Sequence, residues 1–173
     1  EELADRRFTD LPRLLRPGSI TLSQLRSVVP DVIGSSDAPA PRAPGSDVKH
    51  YAPATPLSIV NSRTLEEVVA QLTADHEKVA VLAMRPPRVA NRYMTWINAG
   101  RRADVYAREL YVNLRTLDKS GAKEILAEEV PAGEPWDAVR DRLRRAASAE
   151  NLVTVDPDIA ALRADFGEDI GLP

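Results

Sequence analysis

The 173-residue chain has no cysteine. That excludes a disulfide framework and any thiolate metal site, and it fits a reducing cytosol. Aromatics make up only 5% of the residues. Leu, Val, Ile and Ala must therefore fill whatever core forms. Lysine is scarce, confined to Lys49, Lys78, Lys119 and Lys123, so arginine carries most of the positive charge. The net charge of -3 lacks the basic excess of a general nucleic-acid binder, so no direct nucleic-acid contact is expected. No apolar run is long enough to span a bilayer and no signal-peptide pattern opens the chain, so no membrane partner is expected. Histidine occurs twice, at His50 and His76, with no partner at metal-ligand spacing. A protein metal site is therefore not expected. Glycine-rich phosphate loops, the dinucleotide glycine pattern and a nucleophile elbow are all missing.

What is present divides into three regions and a tail. Residues 1–30 hold "PRLLRPGSI", read as a short strand from Arg13 to Arg16 broken by Pro17-Gly18. "TLSQLRSVV" follows as a helix with Thr21 as N-cap and Leu22, Leu25, Val28 and Val29 on one face. Residues 31–56 form a linker containing Pro39, Pro41, Pro44, Pro53 and Pro56. Such composition is extended and semi-stiff, and a loop this long marks a boundary, a lid or a tether.

Residues 57–150 alternate strand and helix patterns. "LSIV", "KVAVLA", "MTWIN" and "KEILAE" read as strands. "TLEEVVAQLTAD" reads as a helix with a Thr64/Glu67 capping box and an inner stripe of Leu65, Val68, Val69 and Leu72. A long helix from about Ala103 to Asp118 carries Ala103, Ala107, Leu110, Leu114 and Leu117 inward, with Tyr106 and Tyr111 at its core or rim. "EPWDAVRDRLRRAA" turns Trp136, Val139, Leu143 and Ala147 inward. The alternation predicts an α/β fold: a small Rossmann-like three-layer domain with a mainly parallel sheet. The tail, residues 151–173, has a short helix pattern between Asp156 and Gly167.

Four features compete as chemistry. Arg140, Arg142, Arg144 and Arg145 read as the solvated face of the last helix. Glu124, Glu128 and Glu129 read as exposed strand-end charges without a visible partner. His76 reads as a cation at a helix end. Lys49, His50 and Tyr51 stand apart, because their segment has no packing period. A cation, a titratable ring and a phenol are the parts that hold a nucleotide. They are also the parts of a linker anchor, with Tyr51 and Pro53 pinned to a domain surface, and chemistry alone favours the anchor.

The order of "RPGSIT" (Arg16 to Thr21), "APGSDVKHYAP" (Ala43 to Pro53) and "YARELYVNLRTLD" through "VRDRLRRAA" (Tyr106 to Ala147) resembles the C-terminal half of the two-domain L-threonylcarbamoyl-adenylate synthase family. The resemblance implies a YrdC-type catalytic domain as partner, joined through the linker to this accessory domain. It implies ATP, L-threonine and bicarbonate as substrates and a product for tRNA threonylcarbamoyl-adenosine modification. Mg would be supplied through the catalytic domain, and the location would be cytoplasmic. It places Arg16 near ATP, makes Lys49, His50 and Tyr51 an ATP-binding lid, and makes Pro44, Gly45 and Pro53 the lid's turn. Ser46, Asp47 and Val48 depart from the family's usual linker wording, and the catalytic domain's own motifs are missing. No catalytic residue is therefore expected in this chain, and residues 1–30 would be the end of the catalytic domain. The rival expectation is a non-catalytic α/β interaction or nucleotide-binding module, the latter with its ligand at the carboxyl ends of the strands.

Overall fold

The computed structural model describes residues 11–34 and 52–147. The tail helix pattern and the residues Pro44, Gly45, Lys49, His50 and Tyr51 lie outside the described residues. Strands β1 (Leu57–Val60), β2 (Val79–Ala83), β3 (Met94–Asn98) and β4 (Glu124–Glu128) form one sheet in the order β1-β4-β2-β3. Every neighbouring pair is parallel, with Leu57 opposite Ile125, Val79 opposite Glu124 and Val79 opposite Met94. All five residues of β2 are buried. A central strand covered on both faces has no polar side to show, which is why "VAVLA" has no alternation.

The helices cover both faces. Helix α2 (Leu65–Ala74) packs Leu65 and Val69 on Val60, Val79, Val81, Ala83 and Leu126. Helices α3 (Ala103–Asp118) and α4 (Glu134–Ala146) pack on the other face, over Leu57, Ala80, Leu82, Ile125 and Ala127. Tyr106, Leu110, Leu114 and Leu117 of α3 are fully or almost fully buried there. Each such leucine contributes about 1.5–3 kcal/mol of burial. The path from β1 to β2 moves two places across the sheet over the α2 face. The path from β3 to β4 moves two places back over the α3 face. Reversing direction and face together keeps one crossover hand, as parallel sheets demand.

One expected cap comes out differently. The Thr64/Glu67 capping box does not form. Thr64 already has helical backbone angles, and the N–H groups of Thr64 and Leu65 both donate to the Asn61 carbonyl. The turn therefore starts at Asn61, whose Oδ1 accepts from the Arg63 N–H at 3.0 Å. His76 ends α2 with a positive φ of 63°, and its ring meets Tyr93 edge-on at 5.0 Å.

The N-terminal segment is also less regular than expected. The Arg13–Arg16 strand reduces to a single parallel bridge between Arg13 and Ile33. Pro12 and Pro17 bracket it and remove the donors that would extend a ladder. Helix α1 (Leu22–Arg26) has the Thr21 cap, completed by Gln24 in a capping box. It stops before Val28, which is 81% exposed. Pro30 disfavours helical geometry at Val29, so the expected Val28–Val29 face never closes.

Candidate functional site

Strands β1 and β4 are neighbours, yet the chain leaves them toward opposite faces, into α2 and α4 respectively. Such a divergence opens a crevice at the carboxyl ends of the strands. The structure has one there, a cleft of about 500 Å³. Asn61 and Ser62 follow β1, Met84 follows β2, Arg101 follows β3, and Glu128 to Ala132 follow or end β4; Trp136 of α4 forms a wall. No sequence motif marks these residues as a binding set. Their common signal is positional: each strand-derived one stands at or just after the end of a strand.

Glu128 corrects the expectation of an exposed strand-end charge, since it is only 1% exposed. Its strand lies second in the sheet, with β1 on one side and β2 on the other. Its Oε2 accepts from the Met84 N–H at 2.6 Å, and its Oε1 accepts from the Ser62 hydroxyl. The Arg85 guanidinium lies 3.8 Å from Oε1 and also pairs with Glu66 of α2. One carboxylate thus ties the ends of β1, β4 and β2 together. Glu129 stays exposed and accepts from Asn61 Nδ2 at 3.3 Å. Glu124 accepts from the Ser58 hydroxyl.

Behind the cleft wall lies Tyr106, edge-on to Trp136 at 5.6 Å between ring centroids. Its hydroxyl is buried and has no hydrogen-bond partner among the described residues. Burial, and then the Glu128 charge, push the phenol well above its ordinary range. The arginines of α4 are less solvated than expected. Arg140 donates to the Pro131 and Gly133 carbonyls, Arg142 to the Ala107 carbonyl, and Arg145 to Asp141 at 3.1 Å. Of the four, Arg144 alone is exposed; the others are half-buried.

Arg16 lies away from the cleft. Its guanidinium donates to Asp141 Oδ2 of α4 at 3.2 Å, with both side chains partly exposed. Nearby, Glu134 accepts from the Ser23 N–H and from the Ser23 hydroxyl at 2.6 Å. The hydroxyl bond first, then the N–H bond, hold the Glu134 carboxyl below its usual range. These contacts latch the N-terminal segment to α4. Of the expected lid-turn residues only Pro53 is described. The next two residues anchor the chain: Ala54 N–H donates to Asp118 Oδ2 at 3.2 Å and Thr55 N–H to Oδ1 at 2.8 Å. Among the described residues, no group of three or more His, Cys, Asp or Glu side chains could hold a metal ion. No described helix is long and apolar enough to cross a membrane.

Asp118 gives the linker end a pH dependence. Desolvation pushes its carboxyl up, but the bonds from Thr55 and Ala54 outweigh it and leave it lowered. A lowered carboxyl stabilises the anchor above its unfolded value, near pH 4, and the effect is lost as pH falls through the folded value. Amide exchange at Ala54 and Thr55 is expected to be slowed at pH 6. Asp118→Asn should weaken that protection, because a neutral amide oxygen is the poorer acceptor, and should remove its loss in acid.

The profile of the family "Threonylcarbamoyl-AMP synthase, C-terminal domain" matches residues 20–148. Threonylcarbamoyl-AMP synthase of Pyrococcus abyssi is 32% identical over 147 residues, covering 78% of this chain and 42% of that protein. The protein of the same name from Bacillus subtilis is 32% identical over 146 residues, covering 80% and 42%. The chain therefore spans less than half the length of these relatives. The crystal structure of P. abyssi Sua5 complexed with L-threonine superposes with a TM-score of 0.65 at 27% identity, covering 83% of this chain and 44% of that one. A second structure of P. abyssi Sua5, with an adjacent histidine and tyrosine both replaced by alanine, gives a TM-score of 0.64 at 26% identity, covering 81% and 42%. Matched over most of its length and sharing the parallel α/β architecture, the chain belongs to the family of threonylcarbamoyl-AMP synthase C-terminal domains.

Proposed function

We propose that this chain is the linker and accessory domain of an L-threonylcarbamoyl-adenylate synthase. The observation that carries the reading is the family match over residues 20–148, a span that includes the His50-Tyr51 pair. The solved variant of P. abyssi Sua5 supports it, because an adjacent histidine-tyrosine pair was the one replaced there. Residues 1–30 are the end of a YrdC-type catalytic domain, 31–56 the lid, 57–150 the accessory domain and 151–173 a tail. The intact enzyme uses ATP, L-threonine and bicarbonate, in the cytoplasm, to make threonylcarbamoyl-adenylate for tRNA modification. The catalytic domain binds ATP with its Mg, and this chain alone does not catalyse adenylation.

In this reading the linker folds over the catalytic cavity and excludes water while the carbamate is activated. Pro44 and Gly45 turn the lid, and Pro53 with the Asp118 anchor ends it. Tyr51 and His50 face the nucleotide, and Lys49 supplies a cation. Arg16 stabilises phosphate charge from the junction where Asp141 holds it.

The test is ATP binding by calorimetry with a catalytic domain supplied in trans. Wild-type chain is expected to tighten ATP binding by the catalytic domain. Tyr51→Ala should lose most of that gain, roughly tenfold in affinity, or about 1.4 kcal/mol. An unchanged affinity in Tyr51→Ala would remove the lid role.

A further inference from the structure

We propose that the cleft at the carboxyl ends of β1 and β4 binds a phosphorylated ribose compound, with a nucleoside monophosphate as its best-fitting form. The inference goes beyond the lid reading, since it needs neither Tyr51 nor a catalytic domain.

Three observations converge on the cleft. Its volume of about 500 Å³ lies within the usual range for small-molecule sites. It sits where α2 and α4 diverge from neighbouring strands, which is where open α/β sheets place ligands. Its cation is available: Arg102 is occupied by Asp104, at 2.7 Å, whereas Arg101 lines the cleft without a partner among the described residues.

The lining chemistry selects the ligand. Residues leading into α2, α3 and α4 all border the cleft: Asn61 and Ser62, Arg101, and Ala132. The Arg101 guanidinium suits a phosphate. Glu129, exposed and sharing only Asn61 Nδ2 among the described residues, is an acceptor for ribose hydroxyls. Glu128 is already committed to Ser62, Met84 and Arg85 and serves as the floor. Trp136, Val130 and Pro131 offer a flat apolar wall for a base. A free amino acid would satisfy Arg101 and Glu129 but leave that wall bare.

The test uses the whole 173-residue chain. Calorimetric titrations with AMP, ribose 5-phosphate, inorganic phosphate and L-threonine are paired with the two indole N–H resonances, assigned through Trp96→Phe. AMP is expected to bind saturably and to shift the Trp136 resonance while leaving Trp96 in place. Ribose 5-phosphate should bind more weakly, and inorganic phosphate more weakly still. Arg101→Ala removes an exposed side chain, so folding should be kept while AMP affinity falls roughly tenfold. Tyr51→Ala should leave AMP binding unchanged; its loss there would assign the nucleotide to the lid and overturn the cleft site. No saturable AMP binding at millimolar concentration, phosphate binding as tight as AMP, a Trp136 shift with L-threonine alone, or an unaffected Arg101→Ala would each overturn it as well.

Discussion

Glu128→Ala is expected to destabilise the domain by about 3–5 kcal/mol, measured by guanidinium denaturation. The carboxylate is almost fully buried and accepts from the Met84 N–H and the Ser62 hydroxyl beside Arg85. Removing it takes the acceptor from the Met84 N–H and the Ser62 hydroxyl and leaves Arg85 with only its Glu66 contact at that end. Domains of this kind are stable by only about 5–15 kcal/mol, so the loss is a large share of the whole. Glu128→Gln separates shape from charge. An amide oxygen can still accept from Met84 N–H, but the attraction to Arg85 is gone. That variant should lose about 1–2 kcal/mol, the gap between charged and neutral hydrogen bonds. A Glu128→Ala variant as stable as wild type would mean that the carboxylate does not tie the three strand ends together.

Tyr106 is expected to split into two opposite results. Tyr106→Ala empties the largest fully buried side chain of the α3 face and should cost about 3–5 kcal/mol. Tyr106→Phe keeps the ring and its edge-on contact with Trp136 but removes the unpartnered hydroxyl. Relief of that orphan should raise stability by about 1 kcal/mol, or Tm by about 2–4 °C. The phenol's raised pKa adds a pH signature. Both states are neutral below the unfolded value near pH 10, so that stability is whole there. Above it the unfolded chain ionises first, and stability falls as pH rises toward the folded value. Tyr106→Phe should abolish that alkaline loss. A phenylalanine variant less stable than wild type would show that the hydroxyl has a partner in solution. The Glu128 and Tyr106 variants should not add independently, because the charge of one acts on the hydroxyl of the other.

Much of the fold is legible in the order of the residues. "LSIV", "VAVLA", "MTWIN" and "EILAE" all form strands of one parallel sheet, and the period of Leu110, Leu114 and Leu117 sets the inner face of α3. These signals are local: an apolar run or a helical stripe has few alternative uses. The patterns that mislead share a different character. Thr64 carries capping chemistry, but the chain has already turned at Asn61, so the hydroxyl has no helix start to cap. Val28 fits a stripe that Pro30 ends early. Glu128 has the same residue type and strand-end position as Glu129, yet one is buried and the other exposed.

The site divides in the same way. The wording around Arg16 and from Ala43 to Pro53 points to the family, and family membership is a property of residue order. The cleft residues carry no motif, because Asn61, Arg101, Glu129 and Trp136 stand far apart in the chain and are gathered by strand order. So the amino-acid sequence by itself determined the element types of residues 57–147, the covered strands and the family. Tertiary structure alone decided that Glu128 is buried, that Arg16 meets Asp141, and that a cleft opens between β1 and β4. The physical reason is that periodicity reports which face of an element is apolar, whereas burial of a particular charge depends on which element becomes its neighbour.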